Sequence, residues 1–74
     1  MFRTYTKIYR DAVDGKDVII WDYVAEGVNI DRVTALVTPS GLMMLESFST
    51  VKKGRAAGVM LDMARWWRRN KPTD

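Results

Sequence analysis

Val18-Ile19-Ile20-Trp21-Asp22-Tyr23-Val24, VIIWDYV, is the stretch whose reading decides the fold. Three consecutive branched residues and two aromatics surround a single acid. Such side chains fit a pleated surface and lose rotamer freedom in a helix. A strand buried on both faces, paired with the segment before it, explains the run best. The competing reading is a helix from Asp17 to Glu26, ended by Gly27.

Working towards the N-terminus, Asp14-Gly15 is a strong hairpin turn, flanked by Asp11 and Asp17. Before it, Phe2, Thr4, Thr6 and Ile8 alternate with Arg3, Tyr5, Lys7 and Tyr9, a period of two that predicts a strand over 2–10. On the other side, Val33, Ala35 and Val37 alternate with Arg32, Thr34, Leu36 and Thr38, predicting a strand over 32–38. Thr38-Pro39-Ser40-Gly41 places proline second and glycine fourth, as a type I turn prefers, and a return strand over 42–48 follows. Leu42 to Glu46 are also good helix formers, and Thr38 before Pro39 could cap a helix. Ser47-Phe48-Ser49-Thr50 suits a strand end better, so the hairpin is preferred.

Ser49 or Thr50 is expected to cap a final helix over 50–70, which Lys71-Pro72 ends. At 100° per residue, Ala56, Ala57, Met60, Met63, Ala64 and Trp67 share one arc and form the expected core stripe. Arg55, Asp62, Arg65 and Arg69 fall opposite, with Gly54 and Gly58, while Val59 and Trp66 lie on the border. The expected fold is therefore α+β: one domain, 1–74, with a three- or four-stranded antiparallel sheet packed against one C-terminal amphipathic helix.

Composition removes several classes of chemistry. The 74 residues contain neither cysteine nor histidine. Disulfides, thiolate metal sites and every Cys/His or Ser/His catalytic arrangement are thereby excluded. The acids fall singly and match no ion-binding loop, so neither metal nor cofactor is expected. Asp22 beside Tyr23 in a buried strand could be a perturbed acid, but a lone carboxylate without a catalytic companion reads first as a structural group. No apolar run approaches the length of a membrane span, and MFRTYTKIYRD lacks the apolar core of a signal peptide. No membrane association and a cytoplasmic location are the expectations.

The net charge of +3 conceals an asymmetry. Residues 1–48 carry five basic and seven acidic groups, whereas residues 49–74 carry seven basic and two acidic ones. A defined basic surface on the last helix follows. Arg65, Arg68, Arg69 and Lys71 crowd its C-terminus; the macrodipole favours some of them, but Arg65 and Arg69, four apart, repel. Gly58, four residues after Gly54, would allow close approach at a cost of about 1 kcal/mol against alanine.

Arg55, Gly58, Asp62, Arg65, Trp66, Arg68 and Arg69 are the candidate partner-binding residues. Interfaces favour Trp, Tyr, Met and Arg, so a protein with an acidic surface is the preferred partner, met by a non-enzymatic regulator, adaptor or inhibitor of the small accessory or phage type. Nucleic acid is the alternative, with arginines on phosphates and Trp66 stacked on a base. Base-edge readers are scarce, and a helix-turn-helix over Val18–Val37 fits poorly because its glycine falls too early. A homodimer through open sheet edges is a further candidate.

Overall fold

The computed structural model describes residues 3–45 and 53–71. Its elements are β1 (Thr4–Val13), β2 (Lys16–Ala25), β3 (Val28–Thr38), β4 (Gly41–Met44) and α1 (Lys53–Asn70). The strands form one antiparallel meander in the order β1-β2-β3-β4. The fold is thus α+β, a four-stranded sheet with a C-terminal helix packed on one face.

Two hairpins close on turns whose central residues both have positive φ. Asp14 and Gly15 lie at 51° and 75°, and Glu26 and Gly27 at 51° and 77°. This is the type I′ geometry whose twist matches that of paired strands. The Asp-Gly turn was legible; the Glu-Gly turn was not, because glutamate rarely adopts a left-handed conformation. Glu26 is held there from outside the turn: its N–H donates to the Arg3 carbonyl (3.0 Å), and its carboxylate accepts from the Arg3 N–H (3.2 Å). Because this turn is so tight, β3 begins at Val28, four residues before the expected Arg32.

The third turn, through Pro39 and Ser40, joins Thr38 to Gly41, and the Thr38 hydroxyl donates to the Gly41 carbonyl (2.7 Å). β4 is a strand, not the alternative helix, and it ends at Met44. Phe2 and the expected strand residues 46–48 lie outside the described residues, as do the caps Ser49 and Thr50 and the end of the chain from Pro72.

β2 sits between β1 and β3, which explains why VIIWDYV does not alternate. Ile19, Trp21 and Tyr23 face the helix. Val18, Ile20, Asp22 and Val24 point to the other face and are also buried. In register they lie between Asp11, Tyr9, Lys7 and Tyr5 of β1 and Leu36, Thr34, Arg32 and Asn29 of β3. The helical reading of 17–26 is excluded.

The core between sheet and helix comprises Ile19, Trp21, Val33, Ala35, Val59 and Met63, ringed by half-buried side chains including Ile8, Leu42, Met60, Trp66 and Trp67. Here the helix departs from its expected phase. Val59, expected on the border, is buried, and Met63 has no solvent exposure. Ala57, expected inside, is exposed, Ala64 is half-buried, and the side chain of Ala56 lies outside the described residues. The core-facing residues Trp66, Val59, Met63, Trp67 and Met60 span an arc centred roughly 60° from the expected one. The cause is apolar area: burying valine and tryptophan removes far more surface from water than burying alanines, so the larger side chains set the phase.

Candidate interaction surface

Helix α1 presents its outer side opposite Val59 and Met63. Arg55, Gly58, Asp62, Arg65, Arg68 and Arg69 are all exposed on it. At 100° per residue these six span an arc of about 140°, so the structure brings them onto one face. Trp66 is the exception. It is half-buried and packed against the core cluster, at the edge of that face. Trp67 is half-buried as well, its ring lying under the Arg10 guanidinium at 5.3 Å, and Arg10 is itself paired to Asp17 (2.8 Å). The two tryptophans therefore differ less than the helical phase predicts: each has one side in the core and one side accessible.

The arginines fall into two groups. Arg55, near the start of the helix, reaches Asp31 on β3 at 3.4 Å, an exposed pair that contributes little stability but fixes where the guanidinium sits. Arg65, Arg68 and Arg69 line a shallow depression of their own. Among the described residues none of these three forms a salt bridge. Without a close ion pair, their guanidinium groups are free to meet a partner.

Leu61 was missed by the sequence reading. Its side chain is 58% exposed, diametrically opposite Val59 and Met63 and between Arg65 and Arg68 around the helix. A second shallow concavity runs from Trp21 past Gly58 to Leu61, walled by Arg55, Asp62 and Arg65. Gly58 leaves open space there: a methyl group in its place would meet nothing within 4 Å. An apolar centre with a charged rim is the composition of a protein-binding patch. The signal for Leu61 was present, since any phase that buries Met63 exposes Leu61.

Asp22 is the one carboxylate with catalytic potential on paper, and its surroundings are complete. It is fully buried on the sheet face away from the helix. Arg32 donates to both of its oxygens (2.7 and 3.1 Å), and the Tyr9 hydroxyl donates to it at 2.9 Å. Burial pushes its carboxyl up, but the hydrogen bonds from Arg32, Tyr9 and Asn29 and the Arg32 charge outweigh this and hold it below the ordinary aspartate value. Burial, followed by the bond to Asp22, pushes the Tyr9 phenol up. Each group keeps its neutral-pH form, which suits a cross-strand clasp of β1, β2 and β3. Among the described residues no cluster of acids could hold a metal ion, and no helix is long and apolar enough to cross a membrane. Comparison with known proteins finds no matching family model, no matching curated protein and no matching solved structure.

Proposed function

We propose that this protein is a non-enzymatic binding module, a small regulator, adaptor or inhibitor that docks the outer face of α1 on an acidic protein surface. The observation that carries this reading is Leu61, exposed on the side of α1 directly opposite Val59 and Met63, flanked by Arg65 and Arg68 on a face that also holds Arg55 and Arg69. Leu61 and Gly58 supply an apolar seat that a partner backbone can approach closely, and the arginines supply long-range attraction and orientation. The scarcity of base-edge readers favours a protein over nucleic acid, while the accessible side of Trp66 would serve either.

Affinity capture on the full chain tests the proposal. A protein retained by the wild type and by Lys16→Glu, on the opposite sheet face, but lost with Leu61→Glu and Arg65→Glu supports it. Equal retention by all four overturns it. Labelled single- and double-stranded oligonucleotides titrated at about 50 mM salt should show no binding; micromolar affinity there would transfer the same face to nucleic acid.

A further inference from the structure

β1 stands at one end of the sheet, so one side of its ten-residue backbone has no neighbouring strand among the described residues. The hairpin fixes which residues face outward. A two-residue turn makes Val13 and Lys16 a pair that exchanges both main-chain hydrogen bonds, and every second residue back along β1 repeats the pattern. The bond from the Glu26 N–H to the Arg3 carbonyl confirms the parity at the far end. Thr4, Thr6, Ile8, Arg10 and Ala12 therefore turn their N–H and C=O groups away from the sheet. Among the described residues, only the Ala12 N–H of these has an acceptor of its own, the Asp11 carboxylate at 2.8 Å.

Natural edge strands are usually protected by proline, by a bulge or by a charge pointing inward. β1 contains no proline, and its pairing with β2 has no register shift. Its two cations are occupied within the chain: Arg10 by Asp17 and Trp67, and Lys7 by the ring of Tyr9 at 5.2 Å. Threonine, isoleucine and tyrosine along it favour a sheet.

We propose that this edge pairs with the same edge of a second copy, antiparallel about a twofold axis through Ile8, joining two sheets into one continuous sheet. An axis perpendicular to the sheet keeps both helices on the same face and sets residues of equal parity opposite each other. Centring on Lys7 would oppose two lysines, and centring on Tyr9 would require the Ala12 amide that Asp11 already satisfies. Centring on Ile8 opposes no like charges, and its ladder can close through Thr6, Ile8 and Arg10 without the Ala12 amide, which comes opposite the partner's Thr4 beyond it. Thr6 then faces the partner's Arg10, Lys7 faces the partner's Tyr9, and Thr6, Ile8 and Arg10 supply the new ladder. Ile8 is half-buried at the rim of the core. Placed against its own copy, it would extend that core across the interface, a cross-strand apolar pair at the centre of a self-complementary contact.

Sedimentation equilibrium of the full chain tests this, with position 6 as the lever, since Thr6 is exposed and faces the partner's Arg10 in this register alone among the centres considered. The wild type should be dimeric. Thr6→Glu should tighten the dimer and Thr6→Lys loosen it, each by about threefold, because the change occurs twice per dimer but Asp17 already shares the Arg10 charge. Thr6→Pro should weaken it by at least about a hundredfold: an outward amide can be lost from an edge without breaking the bonds to β2. Thermal melts of the variants establish that the monomer fold is kept; should Thr6→Pro fail that check, the Glu and Lys pair decides alone. A monomeric wild type at about millimolar protein, or a dimer indifferent to Glu and Lys at position 6, overturns the proposal. Neither outcome bears on the helix surface, which lies on a different element.

Discussion

A carboxylate without solvent access is costly to keep ionised, and Asp22 remains so because Arg32, Tyr9 and Asn29 all hydrogen-bond to it. Asp22→Asn should therefore destabilise the protein by about 2 kcal/mol, part of which is recovered because Arg32 reaches water. A pH series gives a sharper check. The folded-state value of Asp22 is lowered, so its contribution is present above the unfolded value of about 3.9 and is lost as pH falls through the folded one. The stability gap between wild type and Asp22→Asn in urea titrations should be widest near neutral pH and shrink below about pH 4. A gap that widens in acid would contradict the clasp. At the tryptophans, half-burial of both rings implies similar costs. Trp66→Ala and Trp67→Ala should each lose about 2–3 kcal/mol in thermal melts, less than a fully buried aromatic would.

Among the elements, α1 owes its place to a few large side chains. Met63→Ala removes its most buried contact and should cost about 2–4 kcal/mol, more than either tryptophan change relative to side-chain size. Gly58 behaves in the opposite sense. Nothing occupies the space a methyl group would fill, and alanine is the better helix former, so Gly58→Ala should raise stability by about 1 kcal/mol. If a partner approaches the helix closely, the same change should weaken binding. Higher Tm with unchanged affinity would show that Gly58 is not part of the contact. In the sheet, Gly27→Val should destabilise by about 2 kcal/mol, because a branched residue at φ 77° is strained whatever the space around it.

For the whole molecule, charge and shape separate the two kinds of partner. Arg55, Arg65, Arg68 and Arg69 lie on the outer face of one helix, while residues 1–48 carry more acids than bases. A protein partner should give local effects: a large loss at Leu61 and its nearest arginine, and little at Arg55, which Asp31 already engages. Nucleic acid would give a steep salt dependence, about −0.7 to −0.9 in the log–log slope for each phosphate neutralised, with each arginine substitution lowering it by about one. Titration of Arg55→Ala, Arg65→Ala and Arg69→Ala at several salt concentrations distinguishes these patterns.

How much of this was legible follows from what each feature depends on. The strands around VIIWDYV, the Asp-Gly hairpin and the Pro-Gly turn were readable because side-chain period and turn chemistry are local properties of the chain. So was the basic outer face of the last helix, since Arg55, Asp62, Arg65 and Arg69 share an arc in any helical phase near the true one. The Glu26-Gly27 turn was not legible, because its strained glutamate is stabilised by Arg3, more than twenty residues away. Nor was the rotation that buries Val59, half-buries Trp66 and leaves Leu61 outside: a helix's own sequence allows a range of phases, and the groove offered by Ile19, Trp21, Val33 and Ala35 selects one. The sequence by itself determined the first strand, the final helix and the sign of the surface, and favoured strands at 18–24 and 42–48 over the helices it also allowed there. Only the tertiary structure decided which side chains that surface presents, because burial is settled between elements and not within them.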